Sequence, residues 1–243
     1  MNRGGSVIVI GASGTIGSSV ARELDSMGFR LGLHYCTNSS AIDNILAESG
    51  NSGQHCVGQS SLGNLETVNE LLGYFFEKMG NINGLALCAG RVPWKEEKAL
   101  TEQDWEDAYR ELCVLPFHIA RRFIDRCDSS SKVVGLSSIS AHYGGSTRSR
   151  HYGAAKSAFE TALLGLCEEA AKKEVAINLV RAGFVISPQQ TSGRTREELL
   201  ERATRIPFRR AGRPEEVARV FALLFNSGNT FMTGQRITVA GGD

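Results

Sequence analysis

Tyr152 and Lys156 stand four residues apart in the segment Tyr-Gly-Ala-Ala-Lys. On a helix that spacing puts a phenol and an ammonium on one face, a turn apart. A phenol with its ordinary pKa of about 10 is a poor acid or base at neutral pH. A neighbouring cation favours the phenolate and brings the value down. Ser138 precedes Tyr152 by fourteen positions, just past a short apolar run. Its hydroxyl there can donate to a carbonyl oxygen and steady developing charge. By itself Tyr-xxx-Lys is a pattern many surface helices carry. Joined to a strand-end serine and to the loop described next, it points to acid–base chemistry at an oxygen.

That loop is Gly11-Ala-Ser13-Gly14-Thr15-Ile16-Gly17, between the apolar run 6–10 and an amphipathic helix over 15–27. Glycine is required where backbone turns sharply, where it approaches a pyrophosphate, and where helix packs closely on strand. The helix N-terminus adds unpaired N–H groups and a positive dipole end. A mononucleotide or dinucleotide site follows from this placement. A nucleotide site that prefers NAD carries Asp or Glu near the end of the second strand, to hold the ribose 2′-hydroxyl. No acid occurs between Phe29 and Ile42, where the chain reads Tyr35-Cys-Thr37-Asn38. Hydroxyl and amide side chains do not repel a 2′-phosphate, so NADP(H) is expected to be preferred, with NAD(H) the alternative.

The elements that must carry these groups alternate along the chain. Strands are predicted over 6–10, 29–35, 54–58, 85–88, 133–137, 175–180 and 236–239. Helices are predicted over 15–27, 41–48, 104–126, 152–173, 195–204 and 214–225, with Pro214 in a first turn where proline is well placed. Val68, Leu71, Leu72, Phe75, Phe76 and Met79 mark one face of a further helix. The long stretch 140–151 reads as an irregular loop, and a loop of that length is often functional. Such alternation argues for a doubly wound α/β fold: about seven parallel strands with helices on both faces, in a single domain over residues 1–243.

With Lys+Arg 27 against Asp+Glu 26, the net charge of +1 gives no support to a strongly basic nucleic-acid binder. No apolar run is long enough to cross a bilayer, and the segment 1–14 lacks a signal-peptide pattern. A cytoplasmic protein is therefore expected. The six cysteines are scattered, several within apolar stretches, and read as reduced, buried thiols; no metal site is expected.

These pieces together resemble the short-chain dehydrogenase/reductase family, in its broad 3-oxoacyl-acyl-carrier-protein reductase-like branch. The resemblance runs through 11–17, Leu87-Cys88-Ala89-Gly90, Trp105, Pro116-Phe117, Ser137-Ser138 and Tyr152-xxx-Lys156. It continues through Asn178 to Ser187, Ile206-Pro-Phe, Gly212-Arg-Pro-Glu-Glu-Val217 and Thr233-Gly-Gln235 to Gly242. It implies a Rossmann domain and a catalytic set of Ser138, Tyr152 and Lys156. Ser138 would orient the substrate oxygen, Tyr152 would donate or accept the proton, and Lys156 would lower the Tyr152 pKa and hold the nicotinamide ribose. The implied cofactor contacts are Gly11, Ser13, Gly14, Thr15, Ile16 and Gly17 at the pyrophosphate, with Tyr35, Thr37, Asn38, Ser61, Leu62, Ala89 and Gly90 toward the adenosine. Gly183, Val185 and Ser187 lie toward the nicotinamide, beside Tyr152 and Lys156. It further implies a small carbonyl or alcohol substrate, including a carrier-bound acyl group, and a homotetramer, with Phe159, Leu163 and Leu166 as surplus apolar positions for an interface.

Several positions depart from the family. The loop reads GxxGxxG, with Thr15 where a glycine is usual, a spacing more typical of extended members that epimerise or dehydrate. Ser61 replaces the usual acid near the adenine, and Ala182 a proline. Leu112 stands where the family carries an Asn that bends the helix and holds a water linking the lysine to solvent. Leucine bonds no water. Either Lys156 is reprotonated by another route or turnover is low, which leaves a nucleotide-binding protein with little catalysis as the alternative. Arg148 and Arg150 are candidates for anion recognition, and His142, Tyr143, His151 and Phe184 for shaping a pocket.

Overall fold

The run Val7-Ile8-Val9-Ile10 is apolar at every position because β1 (Ser6–Ile10) is covered on both sides. Side chains alternate across a strand. Ile8 and Ile10 join one core layer, while Val7 and Val9 join the other. The structure is a computed structural model and describes residues 5–191 and 194–243; the first residues of the segment read as lacking a signal peptide lie outside it. After β1 come α1 (Thr15–Ser26), β2 (Arg30–Tyr35), α2 (Ser39–Glu48), β3 (Cys56–Gln59), α3 (Leu65–Met79) and β4 (Gly84–Leu87). Then follow α4 (Glu102–Tyr109), α5 (Leu115–Arg126), β5 (Lys132–Ser138), α6 (Ser140–Tyr143), α7 (Arg150–Leu164), α8 (Cys167–Ala171) and β6 (Ala176–Ala182). The chain ends with α9 (Pro188–Thr191), α10 (Arg196–Thr204), α11 (Pro214–Phe225) and β7 (Arg236–Val239).

All seven strands pair in parallel in the order β3-β2-β1-β4-β5-β6-β7. This is the doubly wound Rossmann-like sheet that the alternation predicts. The layer packed by Phe75, Phe123, Phe159 and Leu163 covers one face, and that of Val20, Leu24, Val217 and Phe221 the other. The order reverses between β1 and β4. Their C-terminal ends therefore part at a crevice, where open α/β sheets bind ligands.

Three predicted elements differ. The helix expected over 104–126 is interrupted by a wider, π-type turn at Arg110–Val114, where the Leu115 N–H reaches back to the Arg110 carbonyl. Pro116 has no N–H to offer the Leu112 carbonyl four residues back, so an ordinary α-turn cannot close there. The bend that the family's Asn accompanies is thus present with leucine in its place. The helix expected over 152–173 begins at Arg150 and breaks after Leu164, where the Leu166 N–H bonds only three residues back, to Leu163. The stretch expected to be irregular over 140–151 contains α6 and the first turn of α7. Phe159, Leu163 and Leu166 are buried within the chain's own core, so they offer nothing to a partner.

Candidate active site

β5 delivers Ser138 at its last position, and α7 delivers Tyr152 and Lys156 from its first two turns. α7 can start there because Gly153 lacks a side chain: a Cβ would lie 2.6 Å from the Gly144 carbonyl carbon. The loop between α6 and α7 is held by Ser149, whose Oγ accepts the Ser146 N–H at 3.0 Å. The Ser138 Oγ accepts the Ser140 N–H at 3.1 Å, which fixes its aim at the strand end.

Ser138, Tyr152 and Lys156 line one cavity of about 560 Å³ at the crevice. Gly14, Thr15, Ile16, Gly17, Ala89, Gly90, Gly183, Val185 and Ser187 line the same cavity. Tyr35, Thr37, Asn38, Ser61 and Leu62 do not; they gather at the adjoining C-terminal ends of β2 and β3. There the Ser60 N–H bonds to the Tyr35 carbonyl, and Asn38 is engaged as the cap of α2, accepting the Ala41 N–H. Gly11 and Ser13, in the same loop, are not among the residues that line the cavity.

The loop fits a pyrophosphate. Gly11 has φ +83°, and a Cβ on Gly17 would lie 2.1 Å from the Gly11 carbonyl oxygen. No side chain caps the start of α1 and its first turn holds no acid. The N–H groups there face the cavity without a helical partner, as an anion requires.

Burial sets the protonation state of Tyr152 and Lys156. It pushes the Tyr152 phenol up to about 12, against a hydrogen bond from Ser138 that lowers it. Burial brings Lys156 down to about 8, against the charges of Cys88, Glu160 and Cys113. At neutral pH the proton therefore sits on Tyr152, and Lys156 stays cationic. The Lys156 Nζ donates to the Leu136 carbonyl at 3.0 Å and lies 6.0 Å from the centre of the Tyr152 ring. Leu112 is buried with Ala108 and Ala155 against Tyr152. A Cβ on Gly90 would lie 2.9 Å from Leu112 Cδ2 and 3.5 Å from Lys156 Nζ, so the leucine presents hydrocarbon near the ammonium.

His34 was not among the expected site residues, although it supports the loop. Its Nδ1 accepts the Gly11 N–H at 3.0 Å, so Nε2 carries the proton and donates to the Ser60 carbonyl at 3.0 Å. Burial lowers its pKa, partly offset by the Ser60 bond. A base depressed in the folded state contributes stability above its unfolded pKa of about 6.5 and loses it as pH falls. The melting temperature is expected to fall on acidification from pH 7 to 5, and to fall less in His34→Gln, whose amide offers an acceptor and a donor without titrating. Equal slopes for the two proteins would remove His34 from this role.

Of the predicted cations, Arg148 pairs with Glu96 at 2.8 Å and Arg150 with Glu97 at 2.5 Å. Both are spent in clamping the loop after β4 to the start of α7. Tyr143 and Phe184 do line the cavity; His142 and His151 do not. His151 is buried, donating from Nε2 to the Pro93 carbonyl at 2.9 Å, edge-on to Trp105. Among the residues that sequence reasoning missed are Trp94, Arg194, Arg202 and Arg205, which line the cavity; Arg202 lies on the predicted helix over 195–204, but nothing local to that helix shows that it meets the site.

The family model described as enoyl-(acyl carrier protein) reductase matches residues 11–243. A 3-oxoacyl-[acyl-carrier-protein] reductase of Synechocystis sp. is 27% identical over 97% of this chain and 95% of its own length. Among solved structures, a short-chain dehydrogenase/reductase of Brucella melitensis, described as a glucose/ribitol dehydrogenase, superposes with TM-score 0.89 at 27% identity, covering 99% of this chain and 96% of its own. BdcA in complex with NADPH shares the fold, with TM-score 0.86 at 21% identity over 98% of this chain and 94% of its own. With the parallel sheet, the crevice and these likenesses in agreement, the chain belongs to the short-chain dehydrogenase/reductase family, in its 3-oxoacyl-acyl-carrier-protein reductase-like branch, and is an NAD(P)-dependent oxidoreductase.

Proposed function

We propose that this single-domain chain reduces a ketone or 3-oxoacyl-like carbonyl to an alcohol, or runs the reverse, with NADP(H) preferred over NAD(H). The observation that carries the reading is the meeting of Ser138, Tyr152 and Lys156 with the uncapped first turn of α1 in one cavity. The bound nicotinamide supplies or accepts the hydride. Ser138 donates a hydrogen bond to the substrate oxygen and steadies its negative charge. Tyr152, protonated at neutral pH, gives that oxygen its proton in the reducing direction. Lys156, 4% exposed and anchored on Leu136, holds positive charge next to the phenol as the proton leaves. Ala89, Gly90, Gly183, Val185 and Ser187 form the walls against which the nucleotide is held.

The NADP(H) preference rests on the absence of a carboxylate between Phe29 and Ile42, at the end of β2. Titration is expected to give tighter binding of NADPH than of NADH, and a panel of ketones and 3-oxoacyl thioesters to show NADPH oxidation. Equal or reversed affinities would overturn the preference. The second reading, nucleotide binding with little turnover, is favoured by one observation: Leu112 next to Lys156 in place of a water-holding amide. Tight NADPH binding with no turnover on any carbonyl would select it.

The reading extends to a cytoplasmic homotetramer with no nucleic-acid or membrane partner. Among the described residues no helix is long and apolar enough to cross a membrane. Support for assembly comes from the exposed edge strand β7, Leu223 on α11, and Phe231, which is 98% exposed. Trp105 and Tyr109 are likewise exposed along α4. Light scattering at micromolar protein is expected to give four times the chain mass; a monomer would refute it.

A further inference from the structure

His34 is a buried imidazole at the start of the glycine loop, and neither the hydride nor the proton transfer uses it. It holds the loop twice. Its Nδ1 accepts the Gly11 N–H at 3.0 Å, and its carbonyl accepts the Ala12 N–H at 2.8 Å. From the far side of the ring, Nε2 donates to the Ser60 carbonyl at 3.0 Å. With the first two amides of the loop turned to His34, the Gly11 carbonyl accepts the Gly14 N–H at 3.1 Å and lies against Gly17. That packing sets the start of α1, where the N–H groups of Thr15, Ile16 and Gly17 have no helical acceptor and these residues line the cavity.

The ring sits among uncharged groups. Side chains alternate along a strand, so His34 shares with Gly32 the face of β2 that α3 covers. A Cβ on Gly32 would lie 2.9 Å from Met79 Sδ, and one on Gly58, the β3 partner of His34, 2.8 Å from Leu71 Cδ1. α3 turns Val68, Leu71, Leu72, Phe75 and Met79 inward, while its Glu66, Glu70, Glu77 and Lys78 are exposed. β3 and the residue after β4 add the buried thiols of Cys56 and Cys88. Beyond Ser60, the Arg110 Nη2 donates to the Gly63 carbonyl at 2.9 Å. The loop from Gly11 to Gly14 has no ionisable side chain. Burial lowers the His34 pKa, and the Ser60 bond raises it. A proton on Nδ1 would set one donor against another, the Gly11 N–H, inside a buried site. The protonated ring and this form of the loop therefore exclude each other.

Resting on the dinucleotide reading of the loop, we propose that His34 is a positioning residue of the nucleotide site: its unprotonated ring holds the loop in the form that accepts the pyrophosphate, and nucleotide affinity falls when His34 takes up a proton. By linkage, a nucleotide that binds the ordered loop disfavours the protonated ring. Affinity declines as pH falls, and binding releases protons through the same equilibrium.

Calorimetric titration with NADP⁺, which unlike NADPH survives acid, tests this below the melting transition at each pH. The 2′-phosphate itself titrates near about pH 6, alike in wild type and variants, so the difference between their slopes belongs to His34. Between about pH 7.5 and about pH 5.5, wild-type affinity is expected to fall about fivefold more than that of His34→Gln. Heats in buffers of different ionisation enthalpy should show correspondingly greater proton release in wild type. His34→Leu, which offers Gly11 no acceptor, should bind about tenfold more weakly at about pH 7.5, and His34→Gln should recover most of that loss. A merely structural histidine would weaken binding when replaced and leave slope and proton release unchanged. Equal slopes and equal proton release in wild type and His34→Gln overturn the proposal, as does His34→Leu binding as tightly as wild type. Should His34→Leu not fold, the wild-type and His34→Gln profiles decide. Absence of NADP⁺ binding by wild type at every pH refutes the dinucleotide reading, and the proposal with it.

Discussion

Replacing Tyr152 by Phe is expected to lower turnover by about 10²–10⁴-fold, the usual worth of a positioned acid or base, and to leave NADPH affinity nearly unchanged. The reason is local. The Tyr152 ring packs against Ala108, Leu112 and Ala155, and phenylalanine keeps that packing. What is removed is a hydroxyl in contact with Ser138, whose proton burial retains on oxygen at neutral pH. The uncapped start of α1, where the nucleotide is proposed to bind, is untouched, and Lys156 keeps its bond to Leu136. Steady-state rates and a fluorescence titration of NADPH read the two effects separately. Retention of more than about a tenth of the wild-type rate would remove Tyr152 from the acid–base role. An equal loss of NADPH affinity would show that the phenol serves binding instead.

Replacing Glu160 by Ala should produce the largest loss of stability among single changes near the site. Glu160 lies one turn after Lys156 on α7 and is almost fully buried. Its carboxylate accepts from Ser137 at 2.7 Å, from the Arg181 Nε at 2.8 Å and Nη2 at 2.6 Å, and from the Arg236 Nε at 3.0 Å. One side chain thereby ties α7 to β5, β6 and β7. Removing it leaves Arg181, largely buried, without its counter-charge, a change that typically costs about 3–5 kcal/mol. For a chain of this size that corresponds to a fall of roughly 6–20 °C in melting temperature. Burial pushes the Glu160 carboxyl up, but the bonds from Arg181 and Ser137 and the charges of Arg181 and Arg236 outweigh it, and the net shift is downward. A depressed carboxyl contributes stability above its unfolded pKa of about 4.3 and loses it as pH falls through the folded value. The deficit of Glu160→Ala should accordingly shrink below about pH 4. A variant melting within two degrees or so of wild type at pH 7 would show that water replaces the carboxylate at little cost.

Much of the frame could be read from the chain alone, because the relevant information is local. An unbroken apolar run such as Val7-Ile8-Val9-Ile10 can only be a strand covered on both faces, and repeated alternation with helices allows few arrangements besides a parallel sheet. The glycine loop and the Tyr-xxx-Lys spacing are legible for the same reason: backbone approach and a helical turn are properties of neighbouring residues. Other features depended on which distant residues meet, and no local pattern carries that. Arg148 and Arg150 look like anion binders until Glu96 and Glu97 are found beside them, while Arg194 and Arg202 reach a cavity whose other walls are far away in the chain. Phe159, Leu163 and Leu166 are apolar for their own core rather than for a partner, since burial within a chain and burial between chains leave the same residues in the sequence. The bend at Arg110–Val114 lies between: Pro116 makes it necessary, but only the packed structure shows that Leu112 is turned by it onto Tyr152 and beside Lys156. Local periodicity thus determined which faces are buried, and the tertiary structure determined what each buried or charged group meets there.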